Sequence, residues 1–165
     1  MKTRMMIAAA ATIGLLAACS KSSETSPPAT AADHATRPAG TTPAAALPRT
    51  PAPPGARVFI VSPKDGETVS SPVKVVFGIE GMGLAPAGEK NDTAGHHHLL
   101  VDTDLADPSV PIPADATHIH FGKAQTEASV ELPPGKHTLQ LVLGDYVHVP
   151  FDPVIASEKI TIEVK

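Results

Sequence analysis

Residues 73–79 read Val73-Lys74-Val75-Val76-Phe77-Gly78-Ile79, and every odd position is apolar. Successive side chains of a strand point to opposite faces, so Val73, Val75, Phe77 and Ile79 form one inward face. The same period of two recurs at His137-Thr138-Leu139-Gln140-Leu141-Val142-Leu143, where His137, Leu139, Leu141 and Leu143 share a side. From residue 57 onward no helical period persists over ten residues. Val58-Phe59-Ile60-Val61 is a further strand candidate, closed by the turn residues Pro63-Lys64-Asp65-Gly66. His97-His98-Leu99-Leu100-Val101 is another, Leu132-Pro133-Pro134-Gly135 is a turn, and residues 157–164 read as the closing strand.

Short strands with repeated turn signals, and no alternation with helices, predict an all-β fold: an antiparallel β-sandwich of the immunoglobulin-like sort. The Cys…Trp…Cys core of antibody domains is absent, which removes that family and leaves the architecture. The span 57–165 is close to the commonest size of a single domain, and no internal repeat is visible.

What precedes the domain has a different character. Lys2 and Arg4 are followed by an apolar run over residues 5–16 and by the small-residue segment Leu16-Ala17-Ala18-Cys19. That pattern predicts a lipoprotein signal peptide over residues 1–18, with Cys19 becoming the lipid-bearing N-terminus. The run is too short for a membrane-spanning helix, which needs about 20 apolar residues. Several acyl chains on Cys19 would anchor the chain stably. Ser20 is not Asp, which in Gram-negative lipoproteins permits export to the outer membrane, so the expected location is the periplasmic side of that membrane. Residues 19–56 are rich in Pro, Ala, Thr and Ser and poor in large apolar groups, the composition of a disordered, extended spacer. The one cysteine is consumed by lipid, so the folded domain depends on packing without disulfides.

Charge and aromatics exclude some classes of partner. The formal net charge of −4 is mild and no basic run is present, which argues against nucleic acid. With no Trp, one Tyr and four Phe, a stacking platform for sugars or bases is poorly provided for.

Histidine is the unusual resource. Seven of the eight lie beyond residue 57, five of them in Gly95-His96-His97-His98 and His118-Ile119-His120-Phe121-Gly122. Residues i and i+2 of a strand project to one face about 7 Å apart, so His96 with His98, and His118 with His120, can each aim two imidazoles at one point. If the two strands are neighbours, four nitrogens converge on a divalent ion that imidazole suits: Cu(II), Zn(II) or Ni(II). The domain holds a single methionine, Met82, and no cysteine, which disfavours a sulfur-built Cu(I) site. His97, His137 and His148 stand in reserve as ligands, His137 reading best as a core residue and His148 as a loop residue. Among Asp92, Asp102, Asp104, Glu127 and Asp145, Asp102 and Glu127 are the foremost candidates to hold a histidine tautomer from behind. No phosphate-cradling loop, nucleophile elbow or zinc-protease helix appears, so no catalytic residue is assigned.

Several stretches carry a family resemblance: Pro63-Lys64-Asp65-Gly66, Gly81-Met82-Gly83-Leu84-Ala85-Pro86-Ala87-Gly88, Gly95-His96-His97-His98-Leu99-Leu100, His118-Ile119-His120-Phe121-Gly122, Gln125-Thr126-Glu127 and Leu132-Pro133-Pro134-Gly135-Lys136-His137-Thr138-Leu139-Gln140-Leu141. In these the chain resembles the bacterial envelope family called domain of unknown function 4399. The resemblance implies an exported, frequently lipid-anchored single domain and implies no established activity. Three functional expectations follow from the residues. The first is a membrane-tethered module that binds a divalent transition metal through His96, His98, His118 and His120. The second is a structural module that engages another envelope protein or the cell wall, its histidines forming a buried network. The third is a metalloenzyme with Glu127 as acid or base.

Overall fold

The computed structural model describes residues 47–165. The expected signal peptide, Cys19 and most of the spacer lie outside the described residues.

The described residues contain strands and no helix: β1 (Arg57–Ser62), β2 (Thr68–Val69), β3 (Val73–Glu80), β4 (Gly83–Leu84), β5 (Ala94–Val101), β6 (His118–Phe121), β7 (Glu127–Val130), β8 (Gly135–Gly144) and β9 (Ile160–Val164). They form two sheets. One has the order β1-β3-β7; the other runs β2-β9-β8-β5-β4, with β6 also pairing with β5. The fold is the all-β sandwich that the period-two pattern implies. The longer pairings are antiparallel, as expected, but the two-residue strands β2 and β4 pair in parallel with β9 and β5. The larger sheet is therefore mixed.

The core lies between the sheets. Val73, Val75 and Phe77 from β3 meet Leu99 and Val101 from β5, Leu139, Leu141 and Leu143 from β8, and Ile162 and Val164 from β9. These are the residues that the alternation places on inward faces. A fully buried Leu or Val contributes about 1.5–3 kcal/mol of transfer free energy, so this layer supplies most of the stabilisation in a chain without disulfides.

The opposite face of the larger sheet is also covered. Leu100 and Val142 point outward from it and are buried under Ile112, with Leu105 and Val154 packed alongside. The loops over residues 102–117 and 145–156 thus roof the sheet, which explains why every residue of β5 is buried.

Residues 47–56, assigned above to the spacer, carry hydrogen bonds into the domain: Ala52 N–H donates to the Asp152 carbonyl at 2.8 Å, and Asp152 N–H donates to the Thr50 carbonyl at 2.9 Å. The proline content of this segment resembles the spacer's, while Arg49 and Thr50 supply the polar partners that fasten it.

Candidate metal centre

Strand alternation divides the triple histidine. His96, His97 and His98 are each 0% exposed, but they serve different layers. His97 points into the sandwich, its ring centroid 5.1 Å from that of Phe77. His96 and His98 point outward, beneath the roof.

The register of the neighbouring strands decides what meets them. On one side β8 places Gly144 opposite His96 and Val142 opposite His98. On the other side β6 places His120 opposite His98 and His118 opposite Leu100. The two glycines near His96 then leave room for imidazoles to lean toward it. A Cβ on Gly144 would stand 3.0 Å from His98 Nε2, and one on Gly122 would stand 2.4 Å from His120 Cε1. Because those positions carry no side chain, the rings of His98 and His120 reach within 4.9 Å of the His96 ring, centroid to centroid.

A fourth imidazole arrives from the turn that follows β8. The His148 ring stands edge-on to the group, at 4.9 Å from His96, 4.7 Å from His120 and 5.8 Å from His98. Its backbone adopts φ 71°, in the left-handed region that a non-glycine residue seldom occupies.

The ring nitrogens of His96, His98 and His120 available as ligands all lie within 4.8 Å of one another. His96 Nε2 and His98 Nε2 are 3.1 Å apart. With metal–nitrogen bonds of about 2.0–2.1 Å, two ligands of a tetrahedral ion lie about 3.3 Å apart. The His96–His98 pair is therefore at coordination spacing, and His120 needs to close by at most about 1.5 Å. His120 Nε2 is buried without a partner, as are the Nδ1 atoms of His96 and His98. Buried polar atoms are normally paired, so three orphaned nitrogens in one cluster call for an explanation. An ion at the centre would satisfy His120 Nε2, while the Nδ1 atoms of His96 and His98 would stay unpaired with or without it.

The electrostatics prepare neutral ligands. Burial, then the nearby His148, His120 and His97, push His96 down to about 4. Burial, then His96, His120, His148 and His118, push His98 down to about 2. His120 is lowered by burial and by His148. These three imidazoles are uncharged at neutral pH, the state that binds a metal ion. His96 and His98 are enclosed, while His120 and His148 are half-buried, with His120 Nε2 itself buried.

Other candidates go elsewhere. His118 was expected beside His120 as a ligand, but it sits opposite Leu100, and its Nδ1 lies 3.0 Å from Asp115 Oδ1 and 3.1 Å from Thr117 Oγ1. His137 lies toward the other end of β8, with Nδ1 at 2.6 Å from Asp102 Oδ2 and Nε2 at 2.9 Å from the Pro133 carbonyl. The Asp102 hydrogen bond raises its pKa. Asp102 thus serves His137 and the Thr138 N–H, not the cluster. Glu127 is on β7 of the other sheet, 3.1 Å from Lys74 Nζ, so it holds no tautomer here and does not face the cluster as an acid or base. Asp104 pairs with Lys159. The two spacing glycines escaped the sequence reading; the signal available was a glycine two residues after His120 and another at the end of a leucine-rich strand.

Residues 75–165 match a family profile described as Domain of unknown function (DUF4399). The four clustered histidines all lie in that stretch. A comparison with curated proteins finds no match.

Proposed function

The chain belongs to the family of domain of unknown function 4399, and we propose that its β domain is a binding module for a divalent transition metal, held by His96, His98 and His120. The observation that carries this reading is the buried, partnerless Nε2 of His120 beside two Nε2 atoms already 3.1 Å apart. Three imidazoles without sulfur or carboxylate suit Cu(II), Zn(II) or Ni(II).

A purely structural histidine network fits less well. Such a network needs its nitrogens paired, whereas the cluster has one ring-to-ring hydrogen bond and His120 Nε2 has no partner; the Nδ1 atoms of His96 and His98 are unpaired under either reading and do not discriminate. The metalloenzyme reading loses its acid or base, since Glu127 is paired with Lys74 on the other sheet.

The same proposal has the domain displayed in the periplasm from a lipid on Cys19, at the outer membrane. Its support is the N-terminal sequence alone: Lys2, Arg4, the apolar run and Leu16-Ala17-Ala18-Cys19.

Equilibrium dialysis of the purified chain against Zn(II) or Cu(II), followed by elemental analysis, tests the metal reading. One equivalent retained by the wild type and lost on combining His98→Ala with His120→Ala is the expected outcome. A wild type that retains no metal, or a double variant that retains as much as the wild type, would sink it.

A further inference from the structure

His148 is the one member of the cluster supplied by a turn, and the turn is fastened with unusual care. Asp145 is 1% exposed. Its Oδ1 accepts the N–H groups of Val147 and Val149, each at 3.0 Å. Its backbone carbonyl accepts the His148 N–H at 2.9 Å, and its own N–H donates to the Val149 carbonyl at 2.9 Å. Four hydrogen bonds thus run between Asp145 and the three residues after Tyr146, and they hold His148 at its left-handed φ of 71°.

The remaining oxygen of Asp145 looks away from the turn. Oδ2 accepts the Thr50 hydroxyl at 2.8 Å. Thr50 belongs to the segment ahead of β1, and its neighbours grip the same loop further on. Arg49 Nε donates to the Pro150 carbonyl at 3.1 Å, another guanidinium nitrogen to the Phe151 carbonyl, and Nη1 to Asp152 Oδ1 at 3.1 Å. Pro51 forms a parallel bridge with Asp152. The segment over residues 49–52 is therefore a strap that clamps both ends of the loop bearing His148. It lies outside the stretch that matches the family.

A buried carboxylate with three hydrogen-bond donors is an expensive way to shape a turn that ends in an unfavourable backbone conformation. The outcome of that expense is an imidazole presented edge-on to three others, 4.7 Å from the nearest between ring centroids, its nitrogens standing outside the 4.8 Å that encloses those of His96, His98 and His120, so that it must close on the ion. We propose that Asp145, clamped by Thr50 of the strap, is a positioning residue that presents His148 as the fourth ligand of the metal centre. This rests on the three-histidine reading and adds to it. The strap sets whether the ion sees four imidazoles or three and a solvent molecule, and so sets how tightly it is held.

The test uses the purified chain loaded with Cu(II). Electron paramagnetic resonance counts the coupled nitrogens, and competition with a chelator gives the affinity. The wild type should show four coupled nitrogens. Asp145→Ala should show three, with affinity lower by about 10- to 100-fold, the usual effect of removing a group that holds a metal-bound histidine. His148→Ala should match it, and the double variant should be no worse than His148→Ala alone, because the two act as one unit. Asp145→Asn should restore the four-nitrogen signal, since the amide oxygen can accept both turn N–H groups and the amide can donate to Thr50. If Asp145→Ala does not fold, Thr50→Val, which removes only the strap's hydroxyl, must lower the affinity in the wild type and not in His148→Ala. Three nitrogens in the wild type, or an Asp145→Ala or Thr50→Val variant with unchanged signal and affinity, overturns the role of Asp145 and leaves the three-histidine site standing. A wild type that binds no Cu(II) overturns both.

Discussion

Replacing His97 by leucine should make the protein more stable. His97 is 0% exposed, its ring packs on Phe77, and neither Nδ1 nor Nε2 has a partner. It faces the sandwich core, away from the histidine cluster. A buried polar group left unpaired costs about 1–3 kcal/mol, and an apolar side chain of similar volume removes that cost. We expect a gain of about 2 kcal/mol at pH 7, equivalent to about 8 °C in Tm for a domain of this size. The gain should also depend on pH. Burial lowers His97 to about 4 in the folded chain, whereas an unfolded histidine titrates near 6.5. Between those values the unfolded state binds a proton that the folded state refuses, so the wild type loses stability as pH falls through 6.5 toward 4. Leucine does not titrate, and the advantage of His97→Leu should grow by about 2 kcal/mol between pH 6.5 and pH 5. Urea unfolding of the metal-free protein with chelator present, at pH 7, 6 and 5, measures both effects, and the other buried histidines cancel in the comparison. A variant no more stable than the wild type at pH 7, or a difference that stays flat down to pH 5, would show that the buried His97 ring carries no such cost. Loss of metal binding in His97→Leu would contradict the assignment of His97 to the core.

The spacing glycines and the remote histidine give further expectations. Gly144→Ala places a methyl group 3.0 Å from His98 Nε2, and Gly122→Ala places one 2.4 Å from His120 Cε1. Each should weaken Zn(II) binding by at least about tenfold, or 1.4 kcal/mol, in a chelator competition, Gly122→Ala more than Gly144→Ala; equal affinity in all three proteins would show that ring placement does not matter. His137, raised by its hydrogen bond to Asp102, contributes stability that is fully present below about pH 6.5 and lost as pH rises through its elevated value. His137→Gln should therefore cost about 1 kcal/mol at pH 5.5, with a smaller gap at pH 9; a gap that widens with pH would reverse the sign. Metal binding should be indifferent to His137→Gln, which dialysis against Zn(II) checks.

The period-two pattern made the sandwich legible, because alternation at residues 73–79 and 137–143 names the inward face directly. Alternation also pairs His96 with His98 on one face and leaves His97 on the other, without saying which face is the core. What the pattern could not supply was register. Spacing alone makes His118 and His120 equivalent, since both project to one face of β6. The pairing of His98 with His120 breaks that equivalence and leaves His118 opposite Leu100, where Asp115 takes it. His148 could be named from the sequence only as a reserve ligand, for the opposite reason. A turn residue has no periodicity, and its place depends on Asp145, whose partner Thr50 is 95 residues away. The strap was concealed by composition: residues 47–56 look like spacer, and long-range hydrogen bonds from Arg49 and Thr50 leave no local signature.

X-ray absorption at the zinc or copper edge, on protein loaded to one equivalent and dialysed, tests the metal centre most directly. The expected result is a first shell of three or four imidazole nitrogens at about 2.0–2.1 Å with no sulfur, and loss of that shell in the His98→Ala, His120→Ala double variant. A first shell of water oxygens alone, or an imidazole shell that survives the double variant, would contradict it.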